Sequence, residues 1–246
     1  ALPFAKRAVQ STPTPKEAWL TLAAALHSEL KPPRALLPIL PQLTARFGKP
    51  FHWQQLAGVY QQLNQPKRAL AVLQLAHAHQ PFQQPSQLRN LAQLMRSQHL
   101  PYQAARLLKQ HLHEKQLPTT QQHWKLLATS WLEARLRPRA LQPLTEAAAL
   151  SPSGDLYLNL AQLQRDLNQP QQAHASLRKA LAHPVLKKRG TAYLLQGDLY
   201  LEQQQHTQAR QAFQHAAKQP ATAMQAKRWL KYLSQAASPA QPHEQA

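Results

Sequence analysis

The strongest constraint on this chain is that one pattern of large and small residues recurs six times. Trp53, Leu56, Ala57 and Tyr60 are followed by Ala69, Leu73 and Ala76, and Pro81 ends the stretch. The same frame fits Trp19, Leu22, Ala23 and Leu26 with Ala35 and Ile39, then Leu88, Leu91, Ala92 and Met95 with Ala104 and Leu108. It fits again at Trp124, Leu127, Ala128 and Trp131 with Ala140, Leu144 and Ala147, ahead of Pro152. Tyr157, Leu160, Ala161 and Gln164 precede Ala173, Leu177 and Ala180, and Tyr193, Gly197 and Tyr200 precede Ala209, Phe213 and Ala216. The six starts are spaced by 34, 35, 36, 33 and 36 residues.

Within each first segment the large residues fall at i, i+3 and i+7, one face of a helix. The small residue at i+4, and the alanine that opens each second segment, allow two helices to approach closely. A single pair of this kind cannot bury its apolar face alone, so neighbouring pairs must stack. The frame resembles the tetratricopeptide pattern, with its 34-residue period. The expected fold is all-α, a right-handed solenoid of tetratricopeptide-type helical hairpins, and the repeated Trp and Tyr are expected to pack.

Pro66, Pro101, Pro138 and Pro170 each fall at the start of a second helix, where the missing N–H costs nothing. Pro38 and Pro143 fall about a turn inside one, where proline bends a helix or delays its start. The frame assigns residues 14–221 to six repeats. Ala1, Ala5, Ala8 and Pro13 match second-helix positions, so residues 1–13 are expected to be the second helix of a truncated repeat, with the chain a fragment of a longer protein. Residues 222–236 have helical spacing, with Met224, Trp229 and Tyr232 expected on the apolar side of a C-terminal capping helix, and 237–246 read as a flexible tail.

Composition agrees with helices. Ala, Leu and Gln dominate, and only five of 246 residues are Gly. The absence of cysteine excludes disulfides, thiolate metal sites and cysteine nucleophiles. Among the 13 histidines, His77 and His79, like His111 and His113, are two apart and do not face each other on a helix. No metal site is expected. Asp155, Asp166 and Asp198 lie in different repeats, and there is no glycine-rich phosphate loop. The reading is of a protein that is not an enzyme, without cofactor or small-molecule substrate. No run of residues approaches the length of a membrane span.

Several phrases are more particular than the repeat: the Pro-Tyr-x-Ala-Ala start at Pro101, Ser-Pro-Ser-Gly-Asp-Leu-Tyr at Ser151, and Trp229-Leu230-Lys231-Tyr232. With "WQQLAGVYQQLNQPKRALAVLQLAHAH" and "KKRGTAYLLQGDLY", they resemble the tetratricopeptide proteins of gammaproteobacterial TonB gene clusters. The resemblance covers essentially the whole chain. It implies a periplasmic protein of Gram-negative bacteria with a signal sequence upstream. The partners it implies are TonB, ExbB, ExbD or a TonB-dependent receptor. The chain departs from that family in being rich in Gln and Pro and strongly basic.

In a solenoid of this type the outward positions of the first helices line an inner groove. Here they are Gln54, Gln61, Arg89, Gln93, Arg96, Lys125, Thr129, Glu133, Gln162, Arg165 and Asp198, long polar side chains suited to holding a peptide. Arg89, Arg96 and Lys125 would favour an acidic segment. The expected function is a protein–protein interaction scaffold, with a generic repeat adaptor for another envelope assembly as the nearest alternative. The net charge of +19 also raises nucleic acid as a partner. A base-per-repeat code needs the same polar residues in each unit, however, and the groove position runs Leu20, Gln54, Arg89, Lys125, Leu158, Leu194.

Overall fold

The structure is a computed structural model that describes residues 7, 12, 14–30, 32–80, 82 and 84–236. The expected half-repeat at 1–13 therefore lies outside the described residues, apart from Arg7 and Thr12, and so does the expected tail at 237–246. The described residues form helices and turns, with no strand among them. They divide into two compact units, 1–118 and 119–246.

The first unit holds α1 (Glu17–Leu30), a 3-10 turn (Pro33–Leu36), α2 (Leu40–Phe47), α3 (Pro50–Gln62), α4 (Pro66–His79), α5 (Pro85–Ser97) and α6 (Pro101–His113). The second holds α7 (Gln121–Glu133), α8 (Arg137–Ala149), α9 (Asp155–Asp166), α10 (Pro170–Ala182), α11 (Arg189–Glu202), α12 (His206–Ala217) and α13 (Ala223–Ala236). Consecutive helices pair as hairpins: α3 with α4, α5 with α6, α7 with α8, α9 with α10 and α11 with α12. Within the units, α4 meets α5, α8 meets α9 and α10 meets α11, which joins each hairpin to the next.

Small residues set the helix spacing. Ala57, Ala92, Ala128 and Ala161 of the first helices are buried, as are Ala69, Ala104, Ala140, Ala173 and Ala209 of the second. Buried leucines fill the space these leave: Leu73, Leu108, Leu144 and Leu177, each four residues after its alanine. Burying each such side chain stabilises by roughly 1.5–3 kcal/mol. The sixth hairpin makes the same contact with different sizes. Phe213 stands where the others have leucine, and Gly197 where they have alanine. A Cβ on Gly197 would lie 2.5 Å from the Phe213 ring, so the larger side chain requires the missing one.

Each of five hairpins turns the same way. Asn64, His99, Arg135, Asn168 and Gln204 have φ between 55° and 61°, the left-handed region. The next residue then donates back across the turn: Gln65 N–H to Tyr60 O, Leu100 to Met95, Leu136 to Trp131, Gln169 to Gln164 and Gln205 to Tyr200, at 2.8–2.9 Å. This is the Schellman closure, which satisfies carbonyls at the helix end. Glycine would take that backbone most cheaply, yet none of the five turns uses it.

The two awkward prolines have different outcomes. Pro38 delays its helix, because residues 33–39 form 3-10 and turn structure and α2 begins only at Leu40. Pro143 is carried, buried, inside α8. Pro66, Pro101, Pro138 and Pro170 sit in the first turns of α4, α6, α8 and α10.

Two expected faces need correction. On α1 the frame placed Leu22 in the packing face, but it is 55% exposed; Ala23 is buried as the frame requires, with Leu20 and Ala24 buried beside it. They pack with Leu36, Ile39, Leu40, Leu43, Leu56 and Val59. The partner of α1 is a 3-10 turn and a short helix, which present their side chains at other angles than a full second helix would. On α13, Met224 and Tyr232 are 71% and 57% exposed. The buried side is Ala226 and Leu233, with Trp229 and Leu230 half-buried against α12 and α11 residues. Trp229 stacks on Phe213 at 5.6 Å, and that contact fixes the rotation of α13.

Candidate functional site

The residues read as groove-lining fall in both units. In the first, Gln61 and Gln93 are exposed and Gln54, Arg89 and Arg96 half-buried. In the second, Lys125, Glu133 and Gln162 are exposed and Thr129, Arg165 and Asp198 half-buried. The groove position of the frame is not uniformly open. Leu20, Leu158 and Leu194 occupy it and are buried in the core, so that place is closed in three of the six repeats.

The structure brings together one set of these residues. Arg165 on α9 reaches across to α11, where its guanidinium bonds Glu202 Oε1 at 2.8 and 2.9 Å and approaches Asp198 Oδ2 at 3.6 Å. Asp198 and Glu202 are one turn apart, so a single arginine ties two carboxylates of the neighbouring first helix. Burial pushes the Asp198 carboxyl above its usual range, Arg165 opposes that, and Glu202 adds to it. Asp198 Oδ1 is enclosed and without a donor. A ligand for this face meets an arginine already shared between two carboxylates. Thr129 is likewise engaged locally, its hydroxyl donating to Lys125 O at 2.8 Å.

The first unit carries an ionic link that the sequence frame missed. Glu17 on α1 accepts from Lys49 Nζ and pairs with His52 Nε2 of α3, both at 2.9 Å. The bond from Lys49, then that from His52, holds the Glu17 carboxyl below its ordinary value. His52 is buried although it precedes the repeat's aromatic position. The only sequence signal was an acid and a base 35 residues apart, close to one repeat period.

His77 and His111 also meet, as neighbours on α4 and α6, with ring centroids 5.5 Å apart and nearly perpendicular. His111 stands seven residues after Ala104, the place where α4, α8, α10 and α12 have Ala76, Ala147, Ala180 and Ala216. Its ring is held by Gln116 and faces Glu114 at 3.8 Å. His77 Nδ1 accepts the Phe82 N–H at 3.0 Å. Burial, then the neighbouring His111, pushes His77 below the usual imidazole value. The spacing within each helix had pointed away from any pairing of these rings, and the pairing is between helices. No group of three or more His, Asp or Glu suited to a metal occurs among the described residues.

The comparisons with known proteins agree with this geometry. A model of the tetratricopeptide repeat matches residues 154–182 and 190–220, the hairpins α9–α10 and α11–α12. The fold is that of a tetratricopeptide-repeat protein. YrrB, a TPR protein with an unusual peptide-binding site, superposes with a TM-score of 0.60 at 13% identity, covering 78% of this chain and 96% of that one. The C-terminal part of a TPR repeat-containing protein from Cytophaga hutchinsonii gives 0.61 at 11%, covering 90% and 88%. The Naa15/Naa10 structure bound to HypK-THB gives 0.73 at 14%, covering 95% of this chain and 36% of that one. At such identities the likeness is one of fold. No curated protein matches the sequence. Among the described residues no helix is long and apolar enough to cross a membrane.

Proposed function

We propose that this tetratricopeptide-repeat protein is a non-enzymatic scaffold that holds a segment of a partner protein against its first-helix faces. The observation that carries the reading is the division of labour within four of the hairpins, those opened by α3, α5, α7 and α9. Alanine and leucine are consumed in packing, while Gln61, Gln93, Lys125, Glu133 and Gln162 of the first helices are exposed. Such side chains hydrogen-bond an extended or helical peptide without an apolar pocket. The peptide-binding site of YrrB, a protein of the same fold, is in keeping with this.

The partner we propose is a component of a TonB energy-transduction system in the periplasm: TonB, ExbB, ExbD or a TonB-dependent receptor. This rests on the resemblance of the phrases at Pro101, Ser151 and Trp229 to proteins of TonB gene clusters. A scaffold of this kind acts by raising local concentration and fixing orientation. The test is a pull-down against the soluble periplasmic domains of TonB and ExbD at low and high salt, with competitor nucleic acid. Saturable binding that survives both, and that fails in Arg89→Ala/Arg96→Ala/Lys125→Ala, supports the reading. Binding that moves to the competitor or disappears with salt sinks it.

A further inference from the structure

The last described helix has an outward face that no core cluster among the described residues includes. Met224, Lys227, Arg228, Lys231 and Tyr232 follow at i, i+3, i+4, i+7 and i+8, one stripe of α13 about 12 Å long. All five are exposed. The opposite stripe, Ala226, Trp229, Leu230 and Leu233, packs inward. The stripe sets three cations between two large apolar side chains. Arg228 Nη2 lies 3.9 Å from Met224 Sδ, and the Tyr232 ring meets Trp229 edge-on at 5.9 Å, so both apolar ends are braced.

Along the sequence, α12 and α13 carry charge of one sign. From Gln203 to Ala236 there are five Lys and Arg and no Asp or Glu. Arg210 of α12 reaches Leu233 O at the end of α13. No carboxylate in this segment competes for these charges.

We infer that the outer face of α13 docks on an anionic phospholipid surface, with Lys227, Arg228 and Lys231 against headgroup phosphates and Met224 and Tyr232 at the acyl boundary. Mixed cations and apolar side chains on one outward helix face fit an interface that is charged outside and apolar beneath. A nucleic-acid backbone would reward the cations and leave Met224 without a role. This surface shares no residue with those named for the proposed scaffold.

The test is flotation with vesicles of phosphatidylcholine alone and of phosphatidylcholine mixed with phosphatidylglycerol. The chain is expected on the mixed vesicles only, and less of it as salt rises. Lys227→Gln/Arg228→Gln/Lys231→Gln should weaken binding by about tenfold or more. Lys67→Gln/Arg106→Gln/Lys109→Gln removes the same charge from exposed positions of α4 and α6 and should change it by less than about twofold. Far-UV circular dichroism establishes that both variants fold. Because the chain has no cysteine, Tyr232→Cys carries a polarity-sensitive dye at one place, and its emission should shift to the blue on mixed vesicles. Equal weakening by the two triple variants, no dye shift, or binding to duplex DNA or polyglutamate in place of vesicles would overturn the inference. The Arg89→Ala/Arg96→Ala/Lys125→Ala variant should still float, so loss of the scaffold reading and loss of this one are told apart.

Discussion

Pro38 and Pro143 occupy the same place in two hairpins, three residues after the alanine that opens the second helix, and the two helices answer differently. After Ala140, α8 runs through Pro143 from Arg137 to Ala149. After Ala35 the chain forms a 3-10 turn and starts its helix afresh at Leu40. The difference is the next proline. Continuing a helix through Pro143 forfeits one bond, to Arg139 O. Continuing through Pro38 would forfeit the bond to Arg34 O and, because of Pro41, the bond to Leu37 O as well, with a ring against each carbonyl. Restarting at Leu40 places Pro41 in a first turn, where it needs no N–H. One interior proline is absorbed by packing, and two in succession move the helix boundary.

The sharpest way to break this comparison is to give α8 the second proline. Glu146 is exposed and stands three residues after Pro143, as Pro41 does after Pro38. Glu146→Pro is expected to cost about 3 kcal/mol or more and to lower helicity in far-UV circular dichroism. A variant as helical and as stable as the parent would show that packing, not proline spacing, decides. The reverse change is smaller. Pro143→Ala restores the bond to Arg139 O and loses some buried ring contact, for a net gain of about 1 kcal/mol read from the urea midpoint. Pro38→Ala alone should do little, since Pro41 still blocks the helix, and only Pro38→Ala/Pro41→Ala should extend it.

The hairpin turns allow a finer comparison. Asn64 and Asn168 hold the left-handed backbone with a residue that tolerates it, whereas Arg135 and Gln204 hold it at a cost. Arg135→Gly is expected to stabilise by about 0.5–1 kcal/mol and Asn168→Gly to change stability by less than that. Thermal unfolding of the two variants decides it. If both gain equally, the strain lies in the Cβ that both residues carry, and the Asn side chain gives no relief.

These turns also show where sequence reading stopped. The buried alanines and leucines were legible because a fixed spacing repeats and packing has to satisfy it in every hairpin. The turns were not, because the left-handed residue is Asn, His, Arg or Gln and leaves no single-letter signal. It becomes visible only as a position recurring at intervals of 35, 36, 33 and 36 residues. The face of α13 was misjudged for a related reason. Helical spacing admits more than one apolar stripe in "AMQAKRWLKYL", and the stack of Trp229 on Phe213 chooses between them. At the candidate site, residue types were legible and engagements were not. Arg165 looked like a ligand-binding cation, but its partners Asp198 and Glu202 lie in the next repeat, 33 and 37 residues on.

The smallest expected effect is absent at neutral pH and appears on acidification. It sets His77 of the first unit against His174 of the second. Burial pushes both below the usual imidazole value. His111 adds to this at His77. At His174, Arg178 adds to it and a hydrogen bond with Gln203 opposes it. In the unfolded chain each protonates near about 6.5, and in the native state at lower pH. Below that value the unfolded state binds more protons, so stability is complete above about 6.5 and declines as pH falls through it toward the lowered native values. The urea midpoint should therefore drop between about pH 7 and 5.5. His77→Gln, whose amide oxygen can still accept the Phe82 N–H, should flatten part of that drop, and His174→Gln another part. A drop left unchanged by both substitutions would mean that other histidines carry the titration and that the two units do not differ in the way these rings imply.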